Sequence, residues 1–364
     1  MRTRLFNSAA FVLQCAVAVA MSAAACAAPV GELHRVASDP TASLRDAQHR
    51  PRLRITVWYP ASADAVEQPV VIGPPDKPLF NVGSDAPDAS FASGARRPVI
   101  LLSHGFGGSA RMMGWFGIAL ARDGYIVVAV DHPGNNGAEP MTVPGALLSW
   151  DRAEDLRVAL DAIARDPLVG PHVDVSRLGV AGFSAGGYTS LVAAGARVQP
   201  ARFEQFCQAH PDDAVCLPQP EFAVTQQQYA RELERPEIRA AFARAGDDHT
   251  IGHVRAAFLM APAIVQALQP ASLEALQTPV QIVLGDADTV APPMTNGVVA
   301  ARLIPHAALT RFDGVTHTDF LATCTELGRA TLPPCKQISD QDEVHRLTID
   351  AARTFFEAQL GAVH

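Results

Sequence analysis

Lysine is nearly missing from this chain. Of its 29 basic residues only Lys77 and Lys336 are lysines, a bias we assign to codon usage. Basic residues form no run or stripe, and 37 acids bring the formal net charge to −8. A nucleic-acid partner needs a basic stripe to displace counterions from phosphates, so that class is excluded. Charge of both signs is scarce at 18%, against 48% hydrophobic residues. That excludes general disorder, because so apolar a chain has surface enough to offset its ordering entropy. Beyond the N-terminal segment no apolar run reaches 18 residues, so no transmembrane segment is expected. The close Cys/His spacings of structural zinc sites are missing too, as is the lysine-bearing phosphate loop G-x-x-x-x-G-K-[ST]. No metal or organic cofactor is expected.

What is present begins with an export signal. Arg2 and Arg4 precede an apolar stretch interrupted by Asn7, Ser8 and Gln14, and Ala25-Cys26-Ala27 supplies a small-x-small cleavage site. Residues 1–27 are therefore expected to be a cleaved signal peptide, and the protein periplasmic or secreted. A lipoprotein anchored through Cys26 is the lesser reading, since Ala23 rather than leucine stands three residues before it. Cleavage removes Cys15 and Cys26 and leaves Cys207, Cys216, Cys324 and Cys335. An even number in an exported chain reads as disulfides. Of three connectivities, spacing favours the local pairs Cys207–Cys216 and Cys324–Cys335.

The rest of the chain, 28–364, alternates between strand-like and helix-like stretches. Residues 52–59 (RLRITVWY) suit an early antiparallel strand, and residues 60–98, with seven prolines, a long irregular connection. The continuous apolar run at 98–103 is what a strand buried on both faces requires. Helical spacing of Met112, Trp115, Phe116, Ala119 and Leu120 follows, and then a buried strand at 125–130. Further strands are expected at 177–181, 254–260, 279–284 and 308–312. Helices are expected around Leu156, at 294–303 and at 342–360. Such alternation means an α/β fold, a mostly parallel central sheet with helices on both faces. Residues 197–252, rich in Gln, Arg and Asp, break the rhythm and are read as a lid inserted into a single domain.

Chemistry concentrates at Gly182-Phe183-Ser184-Ala185-Gly186, a G-x-S-x-G turn directly after one strand and directly before a small-residue helix. That turn lifts a serine hydroxyl above the sheet, and glycines two before and two after avoid collision. The hydroxyl needs a base to take its proton, and the base an acid to fix its tautomer. Asp286 and Asp288 follow the strand at 279–284, and His317 follows the next strand. Asp288 is preferred because it lies deeper in its loop, leaving Asp286 as a loop-capping acid. The backbone amides of Ala185 and of Phe106, in Ser103-His104-Gly105-Phe106-Gly107-Gly108, are the expected oxyanion donors. His104 is expected to brace that loop, His132 to hold its own loop, and His345 to pack in the last helix. Phe106, Phe183, Trp115, Trp150 and Phe320 suit either an apolar substrate pocket or ordinary core.

The segments SHGFGGS, GYIVVAVDHPGN, GFSAGG, PVQIVLGDAD and GVTHTDFLATC together resemble the α/β-hydrolase superfamily over roughly residues 50–360. More narrowly they are similar to the secreted "predicted dienelactone hydrolase" group, related to plasma-type platelet-activating-factor acetylhydrolase. The resemblance implies Ser184 as nucleophile, Asp288 as acid, His317 as base, and the Phe106 and Ala185 amides as oxyanion donors. Two departures stand out. Dienelactone hydrolases use a cysteine where Ser184 stands. The acetylhydrolase carries its acid after the strand that here ends Leu259-Met260-Ala261-Pro262. The expected activity is hydrolysis of a small-molecule carboxylic ester of short-chain, lipid or lactone type, through an acyl-enzyme. The alternatives are an exported amidase or peptidase, a polyester hydrolase, and a non-catalytic binding module on the same fold.

Overall fold

The structure is a computed structural model and describes residues 28–336 and 339–363. The expected signal peptide, with Cys15 and the lipoprotein reading of Cys26, lies outside the described residues.

Among the described residues eleven strands form one sheet: β1 (Val30–Ser38), β2 (Arg52–Pro60), β3 (Gln68–Ile72), β4 (Phe80–Pro87), β5 (Arg97–Ser103), β6 (Ile126–Asp131), β7 (Val173–Phe183), β8 (Val254–Met260), β9 (Val280–Gly285), β10 (Ala307–Phe312) and β11 (Thr323–Cys324). The order is β10-β9-β8-β7-β5-β6-β2-β1-β4-β11, with β3 pairing β4. β5 to β10 run parallel to one another, whereas β2 is antiparallel to both β6 and β1.

Alternate side chains of the apolar runs enter separate cores on the two faces. In β5, Val99 and Leu101 join one cluster, while Ile100 and Leu102 join the other. The first cluster is completed by the helices Asp151–Ile163 and Ala185–Ala193. The second is completed by Gly114–Arg122 and Gln341–Leu360. Burial on both faces is why these strands read as unbroken hydrophobic runs rather than alternating ones.

The connection expected to be irregular over 60–98 instead contains β3 and β4, and this part of the sequence reading is corrected. Pro74, Pro75 and Pro78 fall in the turn between the two strands, and Pro87 ends β4. Pro69 lies inside β3, which pairs only with β4 and so tolerates a residue without an N–H. β1, which was not anticipated, pairs with β2 along nine residues.

Chain order reverses at β5. The crossover through Gly114–Arg122 leads to β6 on one side, and the next leads back to β7 on the other. In open parallel sheets the crevice at such a reversal, outside the carboxyl ends of the strands, is where ligands bind. Residues 197–252 enter after the helix Ala185–Ala193. They carry the helices Pro200–Ala209, Gln226–Glu234 and Pro236–Phe242 before β8.

Candidate active site

Ser184 stands between the last residue of β7 and the first of the helix Ala185–Ala193, with φ 56° and ψ −118°. A non-glycine residue rarely occupies this region, and doing so costs on the order of 1–3 kcal/mol. Backbone bonds hold it there. The Ser184 N–H donates to the Met260 carbonyl at 2.9 Å, and the Ser184 carbonyl accepts from Gly187 at 2.9 Å and Ala263 at 3.1 Å. The turn closes only because its flanks lack side chains. A methyl on Gly182 would run into the Gly186 carbonyl, and one on Gly186 into the carbonyl of Ser103.

His317 opens a short 3-10 turn, His317–Phe320, beyond β10. Its start is fixed by Asp319, whose carboxylate accepts from the Thr316 amide at 2.7 Å and hydroxyl at 2.8 Å. The imidazole Nε2 is 2.9 Å from Ser184 Oγ, and Nδ1 is 2.6 Å from Asp288 Oδ2. Asp288 Oδ1 accepts from the amides of Val290 and Ala291, each at 2.8 Å. All three side chains belong to residues under a tenth exposed. The ring of Phe183 packs on that of His317, centroids 4.7 Å apart. Asp286 faces elsewhere and accepts from the Gly314 amide at 2.7 Å. Since the Nδ1–H donates to Asp288, Nε2 is left to accept from the serine hydroxyl.

The loop after β5 is held from behind. The His132 amide donates to His104 Nε2 at 3.2 Å, which leaves the ring proton on Nδ1. That N–H donates to the Gly105 carbonyl at 2.6 Å. Gly105 O belongs to the peptide unit that carries the Phe106 N–H, so His104 sets the direction of that amide. Burial, then the neighbouring His132 and Arg152, pushes the His104 pKa well below its ordinary value and keeps the ring neutral. Among the described residues neither the Phe106 nor the Ala185 amide has a protein acceptor. The Ala185 amide opens a helix whose dipole adds positive potential.

Below this site lies a buried polar network that sequence reasoning missed. Ser103 Oγ donates to His132 Nε2 at 2.9 Å, and His132 Nδ1 donates to Asp155 Oδ2 at 2.8 Å. This repeats the connectivity of Ser184, His317 and Asp288, but none of the three residues has any solvent exposure. Asp155 also accepts two bonds from Arg45, at 2.7 and 2.9 Å. The available signal was in the helix Asp151–Ile163. There Arg152 and Asp155 fall on the same helical stripe as Leu156 and Ala159, where a solvated charge does not belong. His345 packs instead of reacting, stacked on Trp115 at 3.7 Å with Nε2 2.9 Å from the Leu321 carbonyl. Trp150 lies in the core against Phe242, while Phe183 packs on His317 and Phe320 packs on Phe183.

Two disulfides brace the surroundings: Cys207–Cys216 within the inserted segment and Cys324–Cys335 beyond His317. Among the described residues no group of three His, Cys, Asp or Glu side chains is placed to hold a metal ion. Nor is any helix among them long and apolar enough to cross a membrane.

Residues 99–327 match the family described as "Alpha/beta hydrolase family". No curated protein matches the chain. Among solved structures, a ferulic acid esterase from Streptomyces cinnamoneus superposes with a TM-score of 0.57. It is 20% identical, and the match covers 93% of this chain and 92% of that one. At that identity the likeness speaks for the fold.

Proposed function

The chain belongs to the alpha/beta hydrolase family, and from that premise we propose that it is an exported serine hydrolase of carboxylic esters. The observation that carries the reading is the unbroken chain of hydrogen bonds from Asp288 through His317 to Ser184 Oγ. In the proposed reaction Ser184 Oγ attacks the ester carbonyl as its proton passes to His317 Nε2. The carbonyl oxygen becomes an oxyanion between the amides of Phe106 and Ala185. Collapse breaks the ester bond, and His317 gives its proton to the departing alkoxide. Water then attacks the acyl-enzyme, losing a proton to His317, and the acid leaves as Ser184 is restored. Asp288 holds the ring in one tautomer and stabilises the imidazolium formed at each attack.

Residues 197–252 act as a lid in this reading. Glu221 stands against Gly107 of the loop after β5, and the Thr295 hydroxyl, beyond Asp288, donates to Asp213 at 2.8 Å. The insertion thus meets loops on two sides of Ser184. Export is supported by the two disulfides together with the N-terminal sequence. The narrower likeness to the secreted dienelactone-hydrolase group belongs to the same proposal, with serine in place of cysteine.

The test is Ser184→Ala assayed on p-nitrophenyl esters of increasing acyl length, lactones, a phospholipid, a ferulate ester and a matched anilide. Loss of turnover and of fluorophosphonate labelling is expected, with the wild type preferring ester to anilide. Normal labelling of the variant would overturn the assignment.

A further inference from the structure

Arg152 is 2% exposed, and every acceptor its guanidinium meets is neutral. Nε donates to Thr189 Oγ1 at 3.0 Å and Nη1 to Asn135 Oδ1 at 3.1 Å. Nη2 donates to Ser103 Oγ at 3.2 Å and to the His104 carbonyl. Burying a cation without a carboxylate in contact is costly, so a hydrophobic residue of like size would serve packing better. The acceptors show what the arrangement does. Ser103 and His104 lead directly into the peptide of Phe106. Asn135 Oδ1 also accepts from the Gly107 amide, at 3.3 Å. The Thr189 hydroxyl donates to the Ala185 carbonyl at 2.9 Å. One planar group therefore reaches both segments that carry the Phe106 and Ala185 amides.

We propose that Arg152 is a positioning residue that fixes the spacing of the Phe106 and Ala185 amides, and so the site that receives the oxyanion. The proposal rests on the esterase reading above. Burial pulls the Arg152 pKa down to about 9, so the group stays charged at neutral pH, with Asp155 nearby as the balancing charge. A rigid fork suits the task because its donors leave in fixed directions, whereas an ammonium is a single flexible point charge. Positioning of oxyanion donors affects the transition state more than bound substrate, so the effect belongs in kcat.

The experiment compares Arg152→Met and Arg152→Lys with wild type, using the ester that Ser184 turns over best. The readouts are kcat, KM, the inhibition constant of an alkyl boronic acid whose tetrahedral adduct occupies the oxyanion position, and thermal unfolding. Arg152→Met should lower kcat by roughly ten- to a hundredfold with KM within about twofold. Boronate affinity should weaken by a similar factor, and Arg152→Lys should recover part of each loss. Thr189→Val, which removes one acceptor and leaves the guanidinium, should show a smaller loss of the same kind. It also carries the test if Arg152→Met does not fold. Unchanged kcat and boronate affinity in folded variants, with only a lower melting temperature, would overturn the proposal. Ser184→Ala runs alongside. Persistent turnover there would remove the esterase reading, while Ser184-dependent turnover indifferent to Arg152 and Thr189 would remove only this inference.

Discussion

Asp288 divides its carboxylate between two tasks. One oxygen is 2.6 Å from His317 Nδ1, and the other is saturated by the amides of Val290 and Ala291. The loop thus fixes the acid, and the acid fixes the ring. Asn at 288 could keep its amide oxygen on both loop N–H groups but would then present an NH2 donor to the ring, the wrong proton arrangement. Asp288→Asn is expected to lower kcat by about 10⁴-fold, as for other triads of this connectivity. Asp286→Asn, which touches only the Gly314 amide, should stay within about threefold of wild type. Steady-state kinetics of the two variants check this, and an equal loss in both would refute the assignment.

Strain at Ser184 gives a prediction of opposite sign for stability and activity. Glycine adopts positive φ without steric cost. Ser184→Gly should therefore be inactive yet more stable than Ser184→Ala by about 1 kcal/mol. Urea denaturation of the two inactive proteins measures the difference. Equal midpoints would mean that the turn is not strained.

A second pair of acids makes stability depend on pH. Glu32 on β1 accepts from Trp58 Nε1 at 3.1 Å and Arg111 Nη2 at 2.9 Å, and His34 Nε2 is 2.5 Å from it. Asp85 on β4 is buried beside it, with Oδ2 lacking any donor to accept from. A proton on Asp85 given to Glu32 resolves that conflict. Burial, then the bond and charge of Glu32, raises the Asp85 pKa to about 8. Against its own burial, Glu32 is kept ionised, well below the ordinary range, by bonds to His34 and Asp85 and the charge of Arg111. The native state thus holds a proton on Asp85 that the unfolded chain has released above about pH 4. Its contribution is complete below that pH and is lost as pH rises through about 8. Asp85→Asn should flatten the fall in melting temperature between about pH 5 and 9. An unchanged slope would exclude Asp85 as its source.

The bridge Cys324–Cys335 ties the segment after His317 to the 3-10 turn Pro333–Cys335, which precedes the last helix. Cys324 pairs with Phe80 of β4, and its amide donates to Gln341 Oε1 at 2.9 Å. Closing a loop of this size contributes about 2–3 kcal/mol in the chain-entropy model. The Cys324→Ser/Cys335→Ser variant should lose that much stability. If the bridge steadies the turn that presents His317, kcat should fall as well. Full turnover in the folded variant would leave the bridge a purely structural role.

Features set by neighbouring residues were legible in the sequence. The turn at Ser184 is announced by glycines two residues to either side. The buried strands are announced by apolar runs of a length only a parallel sheet accommodates. The order of serine, acid and base along the chain follows from strand ends. β3 and β4 were obscured because seven prolines outweigh a short apolar run such as Val70-Val71-Ile72, and an edge strand tolerates what a central one does not. Arg152 and Asp155 were hidden for a different reason. On a helix with acids and arginines elsewhere on its surface, two more charges look solvated. The stripe they share with Leu156 and Ala159 was the one sign of burial, and their partners Ser103, His104 and His132, at the ends of β5 and β6 and distant in sequence, are what hold them there.

The close approach of Gly186 to the Ser103 carbonyl, and of Gly182 to Gly186, limits how this protein can change. Backbone touches backbone around Ser184, so not even a methyl group can be added there without moving a strand. New specificities must come from parts that carry side chains and end in solvent. Met141 and Glu221, both set against Gly107, are two of these. A library built to retrain the protein would hold residues 103–108 and 182–187 constant and vary the contacts over Gly107. The chemistry is then inherited intact while the choice of substrate drifts.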